Sequence, residues 1–371
     1  KREGTTAWQV AERYTAAFMK GMRDLNIQMP DILPKATDHI QEQIDLIKKL
    51  EEKSLTYVID DGVYFDTSKL TDYGKLARLD IKNLEAGARV EFNPQKRNPT
   101  DFALWKFSSK DEKRDMEWES PWGKGFPGWH IECSAMSKHF LGETFDIHLG
   151  GIEHIPIHHT NEIAQSTCAN HKHFVNYWLH NEHLLADGKK MAKSEGTSYT
   201  ISDIVEKGFE PLALRYFFLQ AHYRSKQNFT WDGLTASQTA YRKLKAQVAA
   251  MPDDGAVSEP YQVLFHEMIN DDLNTAGGLA TVWELLKNPD VSDADKKATV
   301  LDFDRVLGLK LDEAPEEAEI PSEISKLLDE RSAARAGRDW KRSDEIRDLI
   351  TEMGFSVKDT GDGQKVSRNR H

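Results

Sequence analysis

The sequence predicts an α/β fold with a parallel sheet, followed by a long helical region. Three observations carry that expectation. Short apolar runs at 145–151 and 174–185 border on Gly or polar clusters, with helical stretches between and after them, the alternation of strands and crossover helices. Residues 211–308 are helix-rich, interrupted by a polar loop at 252–260. Residues 311–322 then hold five acids, no bases and two prolines, a linker composition, before a small terminal domain.

The elements follow in order. Trp8, Val10, Ala11, Tyr14, Ala17 and Phe18 recur at three- and four-residue spacing, the period of one buried helical face. The segment from Pro30 to Pro34 breaks that pattern, and Ile40, Ile44, Ile47 and Leu50 mark a second amphipathic helix. Tyr57-Val58-Ile59 and Val63-Tyr64-Phe65 flank Asp60-Asp61-Gly62, which predicts a short β-hairpin. Residues 85–124 read as irregular, with turn signals at Asn93-Pro94, Asn98-Pro99 and Ser120-Pro121. In the terminal domain, Ile324, Leu327 and Leu328, then Ile346, Leu349, Ile350 and Met353, mark helices.

Composition excludes several classes. Across 371 residues, 39% are hydrophobic and 30% charged, the profile of a globular chain and not a disordered or collagenous one. No apolar run approaches the ~20 residues of a spanning helix, and no signal-peptide pattern opens the chain. Two cysteines exclude a disulfide framework and point to a reducing cytoplasm. A net charge of −12 argues against a surface coated with basic groups, while leaving room for a local basic patch.

Ten of the 14 histidines, and both cysteines, fall between His130 and His183. On a helix starting near Pro156, His158 and Glu162 stand at i and i+4, so their side chains converge. A soft thiolate from Cys133 would give three of four zinc ligands. On spacing alone a metal and a set of satisfied core histidines fit equally well. Cys168, six residues beyond Glu162, lies roughly 120° around the helix and reads as packing.

A basic, Gly-flanked loop, Asp187-Gly188-Lys189-Lys190-Met191-Ala192-Lys193-Ser194-Glu195-Gly196, follows the apolar run His183-Leu184-Leu185-Ala186. Two lysines separated by Met-Ala can neutralise a polyphosphate whose charge grows in a transition state. Alone, such a cluster reads as a solvated turn.

It does not stand alone. Lys190-Met191-Ala192-Lys193-Ser194 resembles the KMSKS signature of class I aminoacyl-tRNA synthetases. The stretches from Gly128 to Met136 and from His158 to Ser166 resemble the cysteinyl-tRNA synthetase family. So do Pro34-Lys35-Ala36-Thr37-Asp38-His39-Ile40, Asp101-Phe102-Ala103-Leu104-Trp105-Lys106 and Ser120-Pro121-Trp122-Gly123. The resemblance implies a Rossmann-type class I synthetase catalytic domain with an inserted connective domain, then a helical bundle and a small anticodon-binding domain. The implied divisions are 1–40 (catalytic, first part), 41–124 (connective insertion), 125–210 (catalytic, second part), 211–310 (bundle), 311–322 (linker) and 323–371 (anticodon-binding).

The activity it implies is ATP-dependent conversion of L-cysteine to cysteinyl-AMP, with Mg2+ accompanying ATP, then transfer to the terminal adenosine of tRNA(Cys), in a cytoplasmic monomer. In that family one zinc, held by two Cys, one His and one Glu, binds the substrate thiolate. This carries onto Cys133, His158 and Glu162. His159 could also reach Glu162 at i+3, so the choice of His158 rests on the resemblance. Trp129 and His148 match positions lining the amino-acid pocket, and Lys190 and Lys193 match the signature lysines, Lys193 contacting ATP. Cysteine and serine differ by one atom, so a shape-fitting pocket separates them only modestly, whereas zinc favours a thiolate strongly over an alcohol. No large editing insertion is evident.

Two departures stand out. The family's N-terminal zinc-ligating Cys and its HIGH-type motif are absent, and His148-Leu149-Gly150-Gly151 is in the wrong context to replace the latter. With Lys1 aligning beyond that motif, the expectation is an incomplete chain, inactive by itself in cysteine-dependent pyrophosphate exchange. Ala192 replaces the first Ser of KMSKS, and Thr160 stands where Glu is common; neither removes a group assigned to chemistry.

For tRNA, Arg331, Arg335, Arg338 and Arg342 lie at i, i+4, i+7 and i+11 and would form one stripe on a single helix, with Trp340 as a stacking platform. Without the resemblance the same stripe reads as a solvated face balanced by Asp339 and Asp344, with Trp340 in the core. Two alternatives accompany the synthetase reading: a ligase joining activated cysteine to an amino sugar in mycothiol synthesis, and a noncatalytic RNA-binding paralogue. The terminal domain disfavours the first, since a small acceptor needs no anticodon reader. The retained Cys133, His158, Glu162, Lys190 and Lys193 disfavour the second.

Overall fold

A computed structural model describes residues 4–78, 93–109, 111, 114–191, 196–314, 321–360 and 363–368. Internal contacts divide the chain into two units, Lys1–Met191 with Ala221–Phe229 and Ala192–Gln220 with Thr230–His371.

The first unit opens with α1 (Ala7–Asp24), started by a capping box in which Thr6 and Gln9 satisfy each other's backbone N–H groups. Its apolar face corrects the expectation of burial: Trp8, Tyr14 and Phe18 are exposed. Periodicity reports that a helix has two faces, not that one of them is covered. In α2 (Ile40–Glu52) the predicted face is buried through Ile44, Ile47 and Leu50.

The hairpin forms between β1 (Thr56–Ile59) and β2 (Gly62–Phe65), with Ile59 opposite Gly62 and Asp60-Asp61 as the two-residue turn. Gly62 is therefore a strand residue, required because a Cβ there would lie 2.2 Å from the Trp105 carbonyl oxygen. Phe102–Phe107 forms β3 and Gly125–Pro127 forms β4, completing an antiparallel sheet in the order β1-β2-β3-β4. A strand thus occupies part of the stretch expected to be irregular. Its aromatic and aliphatic residues suit a pleated buried surface, but the prolines and charges on either side mask them in sequence.

At the head of β3, Asp101 is buried and takes hydrogen bonds from Tyr57 Oη (2.6 Å), the Thr67 backbone N–H and hydroxyl (2.8 Å each), and the Asn98 backbone N–H (2.8 Å). One core joins this sheet, through Val63, Phe65, Leu104 and Trp105, to α2, to Ile131 and Ala135 of α3 (Trp129–Leu141), and to Ala164 and Ala169 of α4 (Thr160–Asn170). It spans the expected junction at residue 124. Each large apolar side chain buried in it stabilises by ~1.5–3 kcal/mol, so α3 and α4 are fixed from behind.

The predicted parallel pair is present: β5 (Phe145–Gly151) and β6 (Val175–Asn181) run side by side, connected through α4. Beyond them β7 (Leu184–Ala186) lies between β8 (Lys189–Lys190) and β9 (Gln227–Phe229), parallel to β9 and antiparallel to β8. Asp187 and Gly188 both take positive φ, 49° and 74°, as a tight hairpin of this hand requires.

The second unit is the predicted helical region: α5 (Ile201–Glu206), α6 (Pro211–Leu219), α7 (Trp231–Ala249), α8 (Glu259–Asn270), α9 (Thr275–Lys287) and α10 (Asp293–Leu307). Phe265 and Phe303 stack at 4.1 Å between ring centroids within it. The terminal residues form α11 (Ser322–Ala336), α12 (Trp340–Glu352) and a hairpin of β10 (Phe355–Thr360) and β11 (Gly363–Arg368), around Ile324, Ile346, Ile350 and Phe355.

This module corrects the arginine stripe. Helix α11 ends at Ala336, Gly337 caps it, and Arg338 takes φ 60°, so the four arginines do not share one helix. Arg331 is 1% exposed and its guanidinium makes paired hydrogen bonds with Asp359, at 2.8 and 3.0 Å, and one with Gln364. It ties α11 to the hairpin. Arg335 also meets Asp359 and lies over the exposed Trp340 ring, while Arg338 and Arg342 are exposed. Trp340 is thus not a core residue.

Candidate metal and substrate site

The carboxyl end of β5 leads into a short turn over Ile152–His154, then a wide π-type turn over Ile155–His159 that runs directly into α4. Crevices at the carboxyl ends of parallel strands are where open α/β sheets bind ligands. The turn brings two histidines and a glutamate inward: His158, His159 and Glu162 are all buried, Glu162 completely. Facing them, Gly128 starts α3 where a Cβ would stand 2.0 Å from the Ala103 carbonyl oxygen, so β3 and α3 meet closely and Trp129, His130 and Cys133 follow at once.

The donor atoms of Cys133, His158 and Glu162 lie within 4.8 Å of one another. His158 Nε2 is 3.5 Å from Glu162 Oε2, and His148 Nε2, from β5, is 2.9 Å from the same oxygen. The other carboxylate oxygen, Oε1, is buried with no hydrogen-bond partner among the described residues. His159 Nε2 is more distant, at 3.9 Å, and its Nδ1 is engaged by His180 Nε2 at 2.7 Å. The i+4 histidine, not the i+3 one, thus groups with Cys133, although His148, His159 and Glu162 form a second convergent set.

His130 Nδ1 meets His158 Nδ1 at 2.9 Å, which leaves Nε2 of His158 facing Glu162. Trp129 is exposed at the rim, its ring 4.6 Å from that of His158. Burial first, then the neighbouring imidazoles, push His130 down to about 3 and His159 down to about 2, so both rings are neutral near pH 7. Burial, reinforced by Glu162 and Glu132, pushes the Cys133 thiol up to about 12. The centre therefore places the neutral rings of His130 and His159 around one carboxylate oxygen without a partner among the described residues, an arrangement suited to receive positive charge.

Of the residues expected from sequence, Cys133, His158, Glu162, His148 and Trp129 come together here. Lys190 is exposed on β8, and Lys193 lies outside the described residues. Cys168 packs against the core beside α2, as its helical angle suggested. Sequence reasoning assigned no role to His130, His180 or Trp178. His130 stands beside Trp129 in the motif already singled out; the alternation along β6 that turns Trp178 and His180 to one face was the available signal for the others.

The family described as tRNA synthetases class I (C) catalytic domain matches residues 1–239, and that described as cysteinyl-tRNA ligase anticodon binding domain matches residues 317–366. The chain is 48% identical over 368 residues to cysteine--tRNA ligase 1 of Burkholderia lata, covering 99% of this chain and 78% of that protein. It is 40% identical over 393 residues to the cysteine--tRNA ligase of Treponema denticola, covering 97% and 80%. Among solved structures, methionyl-tRNA synthetase of Mycobacterium tuberculosis in complex with methionyl-adenylate superimposes with a TM-score of 0.51 at 14% identity, over 83% of this chain and 78% of that one, which speaks to the fold alone. By sequence over nearly its whole length, and by two family matches in the expected order, this chain belongs to the cysteinyl-tRNA synthetases of class I.

Proposed function

We propose that this chain is a cysteine-tRNA ligase that recognises its amino acid through a metal held by Cys133, His158 and Glu162. The observation that carries the site assignment is the convergence of those three donors, from α3 and from the π-type turn and start of α4, within 4.8 Å. In the reaction a carboxylate oxygen of L-cysteine bonds to the α-phosphorus of ATP and pyrophosphate leaves. A hydroxyl of the terminal adenosine of tRNA(Cys) then takes the acyl group and AMP leaves.

The residues fit zinc. Thiolate, imidazole and carboxylate together form a zinc donor set, and the unpartnered Glu162 Oε1 and the uphill ionisation of Cys133 are what a buried site built around a cation displays. When bound, Zn2+ would take the substrate sulfur as thiolate and so separate cysteine from serine.

The chain's own groups then have distinct tasks. His130 fixes the His158 ring so that Nε2 faces inward, and His148 orients the Glu162 carboxylate. Trp129, exposed at the rim, stands with its ring 4.6 Å from that of His158, where it would flank the substrate. Lys190, launched from the β7–β8 hairpin, and Lys193 counter the charge on the ATP phosphates, with Mg2+ as the nucleotide's companion ion. Arg335, Arg338 and Arg342, with Trp340, offer the terminal module a basic and stacking surface for tRNA. The same reading makes the protein a cytoplasmic monomer. Among the described residues no helix is long and apolar enough to cross a membrane.

The amino-sugar ligase is disfavoured because a family of anticodon-binding domains matches residues 317–366. Zinc binding by the protein, followed by equilibrium dialysis, tests the site without requiring turnover. Cys133→Ser and Glu162→Gln should each weaken zinc binding at least ~10-fold while the fold persists. Zinc bound by both at the parental affinity would reject the site.

A further inference from the structure

We propose that His39, Glu42 and His139 form a second divalent-cation site, for a borderline metal such as Zn2+, Co2+ or Ni2+, at the surface where the start of α2 meets the end of α3. The three donor atoms lie within 4.8 Å of one another. Both imidazoles aim Nδ1 at one oxygen: His39 Nδ1 is 3.1 Å and His139 Nδ1 3.5 Å from Glu42 Oε1. A tetrahedral ion with bonds of ~2.0–2.1 Å sets neighbouring ligands about 3.3 Å apart, a spacing that lies between the two separations.

The supporting structure is rigid. His39 stands immediately before α2, Glu42 follows in its first turn, and His139 lies in the last turn of α3. Ile44, Leu46 and Ala135 of the same two helices are buried in one core, so the donors do not depend on a loose loop for their placement. Phe140 stands edge-on to both rings, at 5.1 Å from His39 and 4.6 Å from His139, and limits their rotation. His39 is nearly buried, whereas Glu42 and His139 retain access to solvent, so water can complete the coordination.

Beside the donors is a cleft of about 200 Å³ that Asp45, Lys49 and Lys138 also line. The positive end of the α2 dipole opposes a cation here and the negative end of α3 favours one, so the two largely offset. This site is separate from the one around Cys133. His139 is six residues further along α3, about 9 Å at helical rise.

An ordinary ion pair is the competing account, and it makes a different demand. To hydrogen-bond to Glu42, each ring must carry a proton on Nδ1, whereas metal binding needs both Nδ1 lone pairs free. A metal would also link the far end of the helix that carries Cys133 to α2, and so brace it against fraying.

Titration of the whole protein, purified without a polyhistidine tag, with Co2+ followed by absorption and equilibrium dialysis tests this. A cysteine-bound Co2+ shows a thiolate-to-metal charge-transfer band, and a His/Glu-bound one does not. The expected result is one Co2+ without that band, retained in Cys133→Ser and lost in both His139→Asn and Glu42→Gln. Absence of that ion from Cys133→Ser, or its uptake undiminished in His139→Asn and Glu42→Gln, would overturn the proposal. Loss of the charge-transfer band in Cys133→Ser bears only on the Cys133 site, so the two assignments fail separately.

Discussion

His130 and His158 join through their Nδ1 atoms at 2.9 Å inside the site, and this contact determines which nitrogen of His158 faces Glu162. Replacing His130 by Ala should leave every donor in place but let the His158 ring turn. Loss of such an orienting partner typically weakens metal binding ~10–100-fold. Competition with a chromogenic chelator would measure it, and unchanged zinc affinity would show that His158 needs no such support.

Selectivity should depend on the metal more than on pocket shape. Protein stripped of zinc and still folded by circular dichroism should lose discrimination between cysteine and serine by about tenfold or more, since shape alone separates near-isosteres weakly. Equilibrium binding of each amino acid, with and without the metal, checks this. Equal rejection of serine with and without metal would remove the role given to Cys133, His158 and Glu162.

The terminal arginines should separate into two behaviours. Arg331→Ala leaves Asp359 and Gln364 without their buried partner. Because Asp359 is itself partly exposed, water recovers some of the loss, and we expect about 2 kcal/mol of destabilisation. Arg335→Ala with Arg338→Ala should instead weaken binding of tRNA(Cys) and leave the unfolding transition nearly unchanged. Denaturant melts and tRNA-binding titrations together distinguish these outcomes.

Acid should loosen the same module. The hydrogen bonds and charge of Arg331 hold the Asp359 carboxyl below its ordinary range. A depressed folded-state value means a contribution that is complete above the unfolded carboxylate range, about pH 4, and is lost as pH falls through the lower folded value. Stability attributable to this pair should thus be flat from neutral pH to about 5 and decline below about 4. Asp359→Asn should be less stable at neutral pH and show less of that acid-side decline in thermal melts.

Gly128→Ala tests the junction behind the site. The added methyl would press on the Ala103 carbonyl, so β3 and α3 must separate, at a cost of ~1–3 kcal/mol or more. A melting temperature equal to that of the parent would mean that the close approach is not needed.

Much of the site was legible in sequence because helical spacing is local. His158 and Glu162 are four residues apart, and any helix there makes them converge. Cys133 was an apt donor by its chemistry, but no local spacing tied it to them and the family resemblance made the choice, because the fold that unites α3 with α4 is a long-range fact. The His130–His158 contact and the burial of Arg331 were not legible for the same reason. Arg331 sits in a run of charge, and its partners lie on a hairpin about 30 residues further on. The end of α11 was readable: Ala336-Gly337-Arg338-Asp339 combines a helix-ending Gly with an N-capping Asp, whose side chain accepts from the Arg342 N–H. The i+7 and i+11 spacing concealed it. The exposed face of α1 shows the converse limit, since amphipathicity does not name what covers a helix.

Asp101 is surrounded by groups that all donate: a phenol, a hydroxyl and two backbone amides. An asparagine of the same outline would turn an N–H toward at least one of them, and a glutamate would overfill the space. The β-hairpin and β3 are therefore keyed to a carboxylate of one length, and a library randomised at this position and selected for heat resistance should return aspartate almost alone.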